Sequence, residues 1–452
     1  MTRRIYEPYA YSDAARTECI WPLPDHPWSQ LDGDVACEVA VIGGGYTGLS
    51  AALHLAQSGV SVTLLESEKP GWGASGRNGG FCCVGGDKLG FTKIAKRFGN
   101  DAAKAYFTTQ CDAIDLVRNI LDTHNIDADT HSDGELQLAH RPQAVSDLKS
   151  EAEQLRNLGV SSLFIPGDAL ADHGMSGTFQ AGLHVRLGFA LNPGKYVFGL
   201  ARAAQEAGAD IRAHSPVTRI TREGGRYVLH ATTGTLRAKK LILATNGYSS
   251  DDIPNWLRGR YMPLQSNILV TRVLSDEEIA AQGWTTDLMA YDTRNLLHYF
   301  RMLPDRRFLM GTRGNIAATP QGQLQMRGKI QRDLSALFPQ WAHVETPNFW
   351  SGLVSLSRDL LPYIGPIGRW QNAWTGMNYH GNGLAMSTWA GAQLAQLAMG
   401  KTAGSKVHQS PLKRFPMAAF RRNYLHAAFL GYRLIDGPPP SSPETCNRRK
   451  TQ

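Results

Sequence analysis

Residues 43–48 read GGGYTG and place Gly43, Gly45 and Gly48 in G-x-G-x-x-G register. At a strand-to-helix junction such a run brings backbone N–H groups close to a pyrophosphate. The first two glycines make the turn, the third lets helix pack on strand, and the helix N-terminus adds partial positive charge. Glu66 follows roughly twenty residues on, where an acidic side chain holds ribose hydroxyls. Next comes GWGASGRNGG at 71–80, with five glycines in ten residues, which leaves room for a second close approach of backbone to ligand. Ser75, Arg77, Asn78, Gly79 and Gly80 are therefore the candidates for the far half of a dinucleotide.

The elements that must hold these residues surround them. Residues 38–42 (EVAVI) form a short apolar run that reads as a buried parallel strand. Leu49, Ala52, Leu53 and Ala56 recur at helical spacing over 46–58, Gly59 supplies a stop, and 61–65 (SVTLL) reads as a second strand ending at Glu66. A nicotinamide-binding domain continues through further βα units, whereas this chain passes straight into the glycine-rich loop, which predicts FAD.

Further along, helices are expected at 101–122, 142–158 and 193–207, and strands at 134–140, 210–213, 217–220, 226–231 and 240–244. Residues 263–312 are strand-rich, and 347–399 return to strand, glycine-rich loop and helix. Alternation along NLLHYFRML (295–303) puts His298, Phe300 and Met302 on one face of a strand and Tyr299 and Arg301 on the other.

Composition narrows the function classes. The chain has 452 residues, 42% hydrophobic and 19% charged, as in an ordinary globular protein of two or three domains. The formal charge of +8 lies wholly in 401–452, where ten Lys/Arg face Asp436 and Glu444. No aromatic-interleaved basic patch accompanies it, which argues against nucleic acid. The six cysteines are scattered without metal-ligand spacing, so no metal site is expected and a reducing, cytoplasmic setting is. No signal-type apolar region follows the first arginines, and no apolar run is long enough to span a membrane. Residues 401–452 read as a C-terminal helix and basic tail, with disorder expected at GPPPSSPE and beyond. Its purpose and the oligomeric state stay open.

The chain resembles the D-amino-acid oxidase-like FAD-dependent oxidoreductases, in their glycine/sarcosine oxidase branch. Within that branch it is most similar to γ-glutamylputrescine oxidases, whose GWGASGRNGG-type loop it shares. The resemblance runs from about 35 to 400. It includes LILATNGYS (241–249), the Trp350, Gly352, Asp359, Pro362, Gly365 series, and GMNYHGNGLAMSTWAG (376–391). It implies an α/β fold: an N-terminal arm (1–34), a Rossmann-like FAD-binding domain (35–95, 190–260, 345–400), and a discontinuous substrate domain on a mainly antiparallel sheet (96–189, 261–344). By the same resemblance Val217, Gly352, Gly381, Asn382, Gly383 and Leu384 join the cofactor site, with a helix N-terminus at the pyrimidine edge of the flavin stabilising its reduced form.

The implied chemistry is loss of hydride from the carbon next to an amine nitrogen to flavin, hydrolysis of the imine, and reduction of O2 to H2O2. His380, Tyr299 and Arg301 are the candidate catalytic residues. Tyr299 would wall the substrate, His380 would tune amine protonation, and Arg301 or Arg313 would bind a distal carboxylate; a solvated or sheet-edge arginine and a structural histidine are the plain alternatives. Members with covalent flavin use a histidine near the first loop or a cysteine in the C-terminal third. Here no histidine lies between His54 and His124 and no cysteine between Cys111 and Cys446, so FAD is expected to be non-covalent. Sarcosine oxidases carry a lysine after the closing glycines for the substrate carboxylate, where this chain has Leu384 and Ala385. That departure favours γ-glutamylated polyamines or related N-substituted amines and amino acids over small α-amino acids. Residues 307–314 lack the lysine that promotes oxygen reduction in some family oxidases, which keeps an acceptor-linked amino-acid dehydrogenase in view. A non-catalytic flavin-fold subunit docking a partner through its basic tail is the third reading.

Overall fold

The computed structural model describes residues 3–84 and 89–437. The disorder expected for 438–452 lies outside the described residues.

Strand Gly33–Ile42 is the spine of the first sheet. It pairs in parallel with Gly234–Leu243 on one side and Val62–Leu65 on the other. The sheet runs on through Asp210–Arg212 beyond Val62–Leu65 and through Ala373–Met377 and Tyr363–Pro366 beyond Gly234–Leu243, with the hairpin Arg219–Glu223/Arg226–His230 appended. Val39, Ala40 and Val41 are wholly buried, as a parallel strand covered on both faces requires.

Helix Tyr46–Gln57 buries Leu49, Leu53 and Leu55, each contributing about 1.5–3 kcal/mol by leaving water. It packs on helices Pro193–Glu206 and Gly383–Ala398. The second contact is close: a Cβ on Gly391 would stand 2.4 Å from the carbonyl oxygen of Thr47, and Ser50 Oγ donates to Thr388 O at 2.7 Å. The first and last helices of the nucleotide-binding layer thus form one wall.

The second sheet is ordered Asn348–Leu356, Met262–Val273, Arg307–Arg313, His298–Met302, Met289–Asp292, Glu135–Leu138, Ala181–Val185, Ser162–Pro166. Only Met289–Asp292 against Glu135–Leu138 is parallel. Strand Asn348–Leu356 was expected among the FAD-binding segments. Instead it pairs along its whole length with Met262–Val273 and belongs to this antiparallel sheet. One face of the sheet buries Phe300, Phe308, Trp284, Phe338 and Trp341 in an aromatic core. Helix Pro320–Leu337, which the sequence reading did not anticipate, covers that face with Ile330, Leu334 and Leu337.

Helix Arg421–Asp436 anchors at both ends. Arg421 Nη2 lies 2.5 Å from Asp251 Oδ2, while the Asp436 carboxylate accepts from the backbone N–H groups of Asn295 (2.9 Å) and Leu296 (3.1 Å). Leu425 and Phe429 between them pack on Met262 and Leu264. Among the described residues no helix is long and apolar enough to cross a membrane.

Candidate active site

A cavity of about 590 Å³ is lined by residues of both sheets. At one end stand Glu66, Ser67, Glu68 and Val217. Gly43 takes a left-handed backbone (φ +108°), and a Cβ there would lie 2.7 Å from Ala244 O. Gly48 admits no side chain either, because its Cβ would meet Gly43 O at 1.9 Å. The turn is therefore closed on itself, and the helix starts against it. Glu66 lies across this turn, its Oε2 accepting from Gly44 N–H at 2.6 Å and its Oε1 from Glu68 N–H at 3.0 Å.

The glycine-rich loop continues the wall. Ser75 Oγ accepts from Tyr46 N–H at 3.0 Å, tying the loop to the first turn of the helix. Asn78 braces the loop internally: its amide donates to Ser75 O (2.9 Å), and its Oδ1 accepts from Gly80 N–H (2.8 Å). Four consecutive carbonyls are held by donors from elsewhere in the chain. Arg77 O accepts from Trp350 Nε1 (2.8 Å), Asn78 O from Trp21 Nε1 (3.0 Å), Gly79 O from Arg301 Nε (2.9 Å), and Gly80 O from Leu191 N–H (2.9 Å). In a trans peptide N–H and C=O point opposite ways, so the N–H groups of Asn78 and Gly79 face away from the two indoles. Both residues line the cavity.

Beyond Gly79 the walls become aromatic. Phe81 and Tyr299 meet edge to face at 5.6 Å, with Tyr291, Leu297 and Leu384 nearby on the lining. Tyr299 Oη lies 3.0 Å from Ser266 Oγ; burial pushes its pKa up to about 12, so it remains a neutral phenol and not a base at physiological pH. Arg313 adds a cation to this end. The closing loop takes left-handed backbone at Asn378 (φ +66°) and His380 (φ +57°) before helix Gly383–Ala398 begins. Such conformations in non-glycine residues concentrate at ligand-binding segments.

The structure brings Gly43, Gly45, Glu66, Ser75, Asn78, Gly79, Val217, Gly381, Gly383, Leu384, Tyr299 and His380 to the cavity wall. It does not bring Arg77, Arg301, Gly48, Gly80, Gly352 or Asn382 to the lining. Arg77 is turned away, donating to Trp72 O and Ser351 O and lying over the Trp72 ring, with Gly352 packed on its stem. Arg301 was expected to meet a substrate carboxylate, but its guanidinium is buried behind the loop on Gly79 O and Leu191 O. Gly80 gives that guanidinium room, since a Cβ there would lie 2.5 Å from Arg301 Nη2. Sequence reasoning missed Arg4 and Tyr11 of the N-terminal arm, Tyr248, Ser266 and Tyr291 on the lining. The aromatic cluster IYEPYAY at 5–11 was the available signal for the arm.

Residues 38–397 match the family model of the DAO type, FAD dependent oxidoreductase. The chain belongs to the FAD-dependent oxidoreductases of this family. It is 30% identical over 427 residues to the probable oxidoreductase OrdL of Rhizobium meliloti (strain 1021), covering 92% of this chain and 96% of that one. It is 29% identical over 375 residues to the γ-glutamylputrescine oxidoreductase of Escherichia coli (strain K12), covering 83% and 86%. Among solved structures, glycine oxidase from Geobacillus kaustophilus superposes with a TM-score of 0.68 at 19% identity, over 84% of this chain and all of that one.

The cavity fits the family's cofactor. Its glycine turn and loop present backbone along one wall, and its volume lies in the range of small-molecule and cofactor sites. Asn382, between the lining residues Gly381 and Gly383, is fully buried with both side-chain polar atoms unpartnered in the protein, a state that costs roughly 1–3 kcal/mol per group until a ligand or water relieves it. Among the described residues no His/Cys/Asp/Glu group is arranged to hold a metal ion.

Proposed function

We propose that this FAD-dependent oxidoreductase oxidises an N-substituted amine of the γ-glutamylputrescine kind, a primary or secondary amine carrying a distal carboxylate, with O2 as acceptor. The observation that carries this reading is the aromatic end of the cavity, beyond Gly79, where Arg313 stands beside Tyr299, Tyr291 and Phe81. The similarity to γ-glutamylputrescine oxidoreductase supports it, and so does Leu384 on the lining where sarcosine oxidases place a lysine.

FAD, held without a covalent link, would accept the hydride from the carbon next to the amine nitrogen and pass two electrons to O2, giving H2O2, while the imine would take up water and release an aldehyde with ammonia from a primary amine, or with the smaller amine from a secondary one. The protein's part is binding and orientation. Glu66 holds the ribose hydroxyls at one end, and the Gly43–Gly45 turn with the helix N-terminus receives the pyrophosphate. The N–H groups of Asn78 and Gly79, on the cavity wall, would serve as donors to the ring. Tyr299 and Phe81 flank the amine and exclude water from it. Arg313 takes the distal carboxylate, and His380 sets the protonation of the amine nitrogen.

Anaerobic mixing of the FAD-loaded protein with γ-glutamylputrescine, putrescine, sarcosine and glycine tests the reading. Bleaching of the flavin is expected with the first and much less with the others; bleaching by none overturns it. Acid precipitation should release the flavin into the supernatant.

A second reading, an acceptor-linked dehydrogenase, is favoured by one feature: buried Met310 precedes Gly311, where some oxidases of the family carry a lysine. Peroxide formed in step with substrate consumption excludes it.

A further inference from the structure

We propose that Arg301 is a positioning residue whose buried positive charge, held directly behind Gly79, raises the reduction potential of the bound flavin. The guanidinium is fully buried, and its three partners are neutral: Gly79 O (2.9 Å), Leu191 O (2.9 Å) and the His131 ring (2.8 Å). The geometry settles the state of that ring. His131 Nδ1 lies 2.7 Å from Asp129 O, which can only accept, so Nδ1 carries the proton and Nε2 accepts from Arg301 Nη1. Burial and the neighbouring guanidinium hold the His131 pKa below its usual value, which keeps the ring neutral. Burial pushes Arg301 down as well, to about 9, and leaves it charged at neutral pH.

The carboxylates of Asp129 and Asp305 act on this cation from a distance, but neither is hydrogen-bonded to it, and a low-dielectric surrounding screens its remaining field little. The guanidinium stands directly behind Gly79, the lining residue against which the Tyr299 ring rests; the N–H of the same peptide, on Gly80, is taken by Asn78 Oδ1, so what acts across the wall is the charge itself. Reduction of a flavin at neutral pH adds negative charge to its ring, so a fixed cation behind Gly79 stabilises the reduced form. Trp21 and Trp350 hold the neighbouring carbonyls with neutral donors, so they share the work of shaping the loop without contributing charge.

The test is a reductive titration of the FAD-loaded protein against a reference dye, which needs no substrate and is independent of the amine reading. Arg301→Gln is expected to shift the balance at least tenfold toward oxidised flavin, which is about 30 mV for a two-electron couple. Arg301→Lys keeps the charge and loses the three-way fork, so it should stay within threefold of the native balance while binding FAD more weakly. His131→Glu places a carboxylate on the guanidinium without removing its grip on Gly79, and should reproduce the tenfold shift even where Arg301→Gln fails to load FAD. Trp350→Phe, which releases Arg77 O without touching Arg301 or altering charge, should leave the balance within threefold. A native-like potential in His131→Glu overturns the proposal, as does a Trp350→Phe shift as large as that of the charge variants.

Discussion

The Tyr299 ring lies against Gly311 of the adjacent strand, so closely that a Cβ on that glycine would stand 2.1 Å from Tyr299 Cζ and 2.3 Å from its Oη. The ring also meets Gly79, where a Cβ would lie 2.9 Å from Cε2. Two glycines, one on a strand and one in the glycine-rich loop, therefore set the ring's position. Gly311→Ala should displace Tyr299 from Ser266 and lower kcat/KM for the amine on the order of 100-fold, the penalty of misplacing a positioning group by about 1 Å. FAD content should be unchanged. Steady-state kinetics together with the ratio of flavin to protein absorbance check both halves.

Gly48→Ala acts at the opposite end of the cavity. The clash with Gly43 O is backbone against side chain, so the helix must move away from the turn. We expect a loss of about 1–3 kcal/mol in stability and a purified protein that is colourless or loads FAD at least tenfold more weakly. Calorimetry and cofactor titration read the two effects separately.

A pH prediction follows from the cluster on the far face of the Tyr299 strand. His298 Nδ1 lies 2.8 Å from Asp292 and Nε2 3.0 Å from Asp333, with Arg294 paired to Asp292 and Lys329 to Asp333. Burial alone would lower the His298 pKa, but the two carboxylates outweigh it and raise it above the ordinary 6.5. This stabilisation is complete below 6.5 and is lost as pH rises through the raised folded value. Burial would push Asp292 up, yet His298 and Arg294 bring it from 3.8 down to about 2, so its share is complete above 3.8 and lost as pH falls toward 2. Melting temperature should thus plateau between about pH 4 and 6.5 and decline on the alkaline side. His298→Asn should lose about 3–5 kcal/mol and flatten the alkaline limb.

Asp436 links the last described helix to the aromatic end of the cavity. Its carboxylate accepts three hydrogen bonds from Asn295 and Leu296, the residues just before Leu297 and Tyr299. Asp436→Ala should loosen that corner, raising KM for the amine several-fold while leaving the FAD dissociation constant within twofold. A rise in both by the same factor would mean general destabilisation instead.

The nucleotide half of the site was legible because its demands are local. Gly43, Gly45, Gly48 and Glu66 belong to one βαβ unit, and the spacing of glycines carries the backbone requirement directly. The substrate half was legible only in part. Alternation correctly separated Tyr299 from His298 and Phe300, but it could not tell that Arg301, on the same face as Tyr299, would pass behind the loop and not into the cavity. That outcome depends on Gly79 and Leu191, far away in sequence. Arg77 misled for the same reason: Ser75 and Asn78 beside it line the cavity, while its own side chain is drawn to Trp72 and Ser351. Helix Pro320–Leu337 escaped notice because Gln, Arg and Gly interrupt its apolar positions, and its partners are aromatic residues of a distant sheet.

The contact of Gly391 with the helix that follows the glycine turn joins segments separated by some three hundred and forty positions. The wall behind the glycine turn is therefore completed only by long-range packing: the entropy of closing so long a loop must be met before that helix pair is rewarded, which makes this layer one of the slower parts of the molecule to assemble.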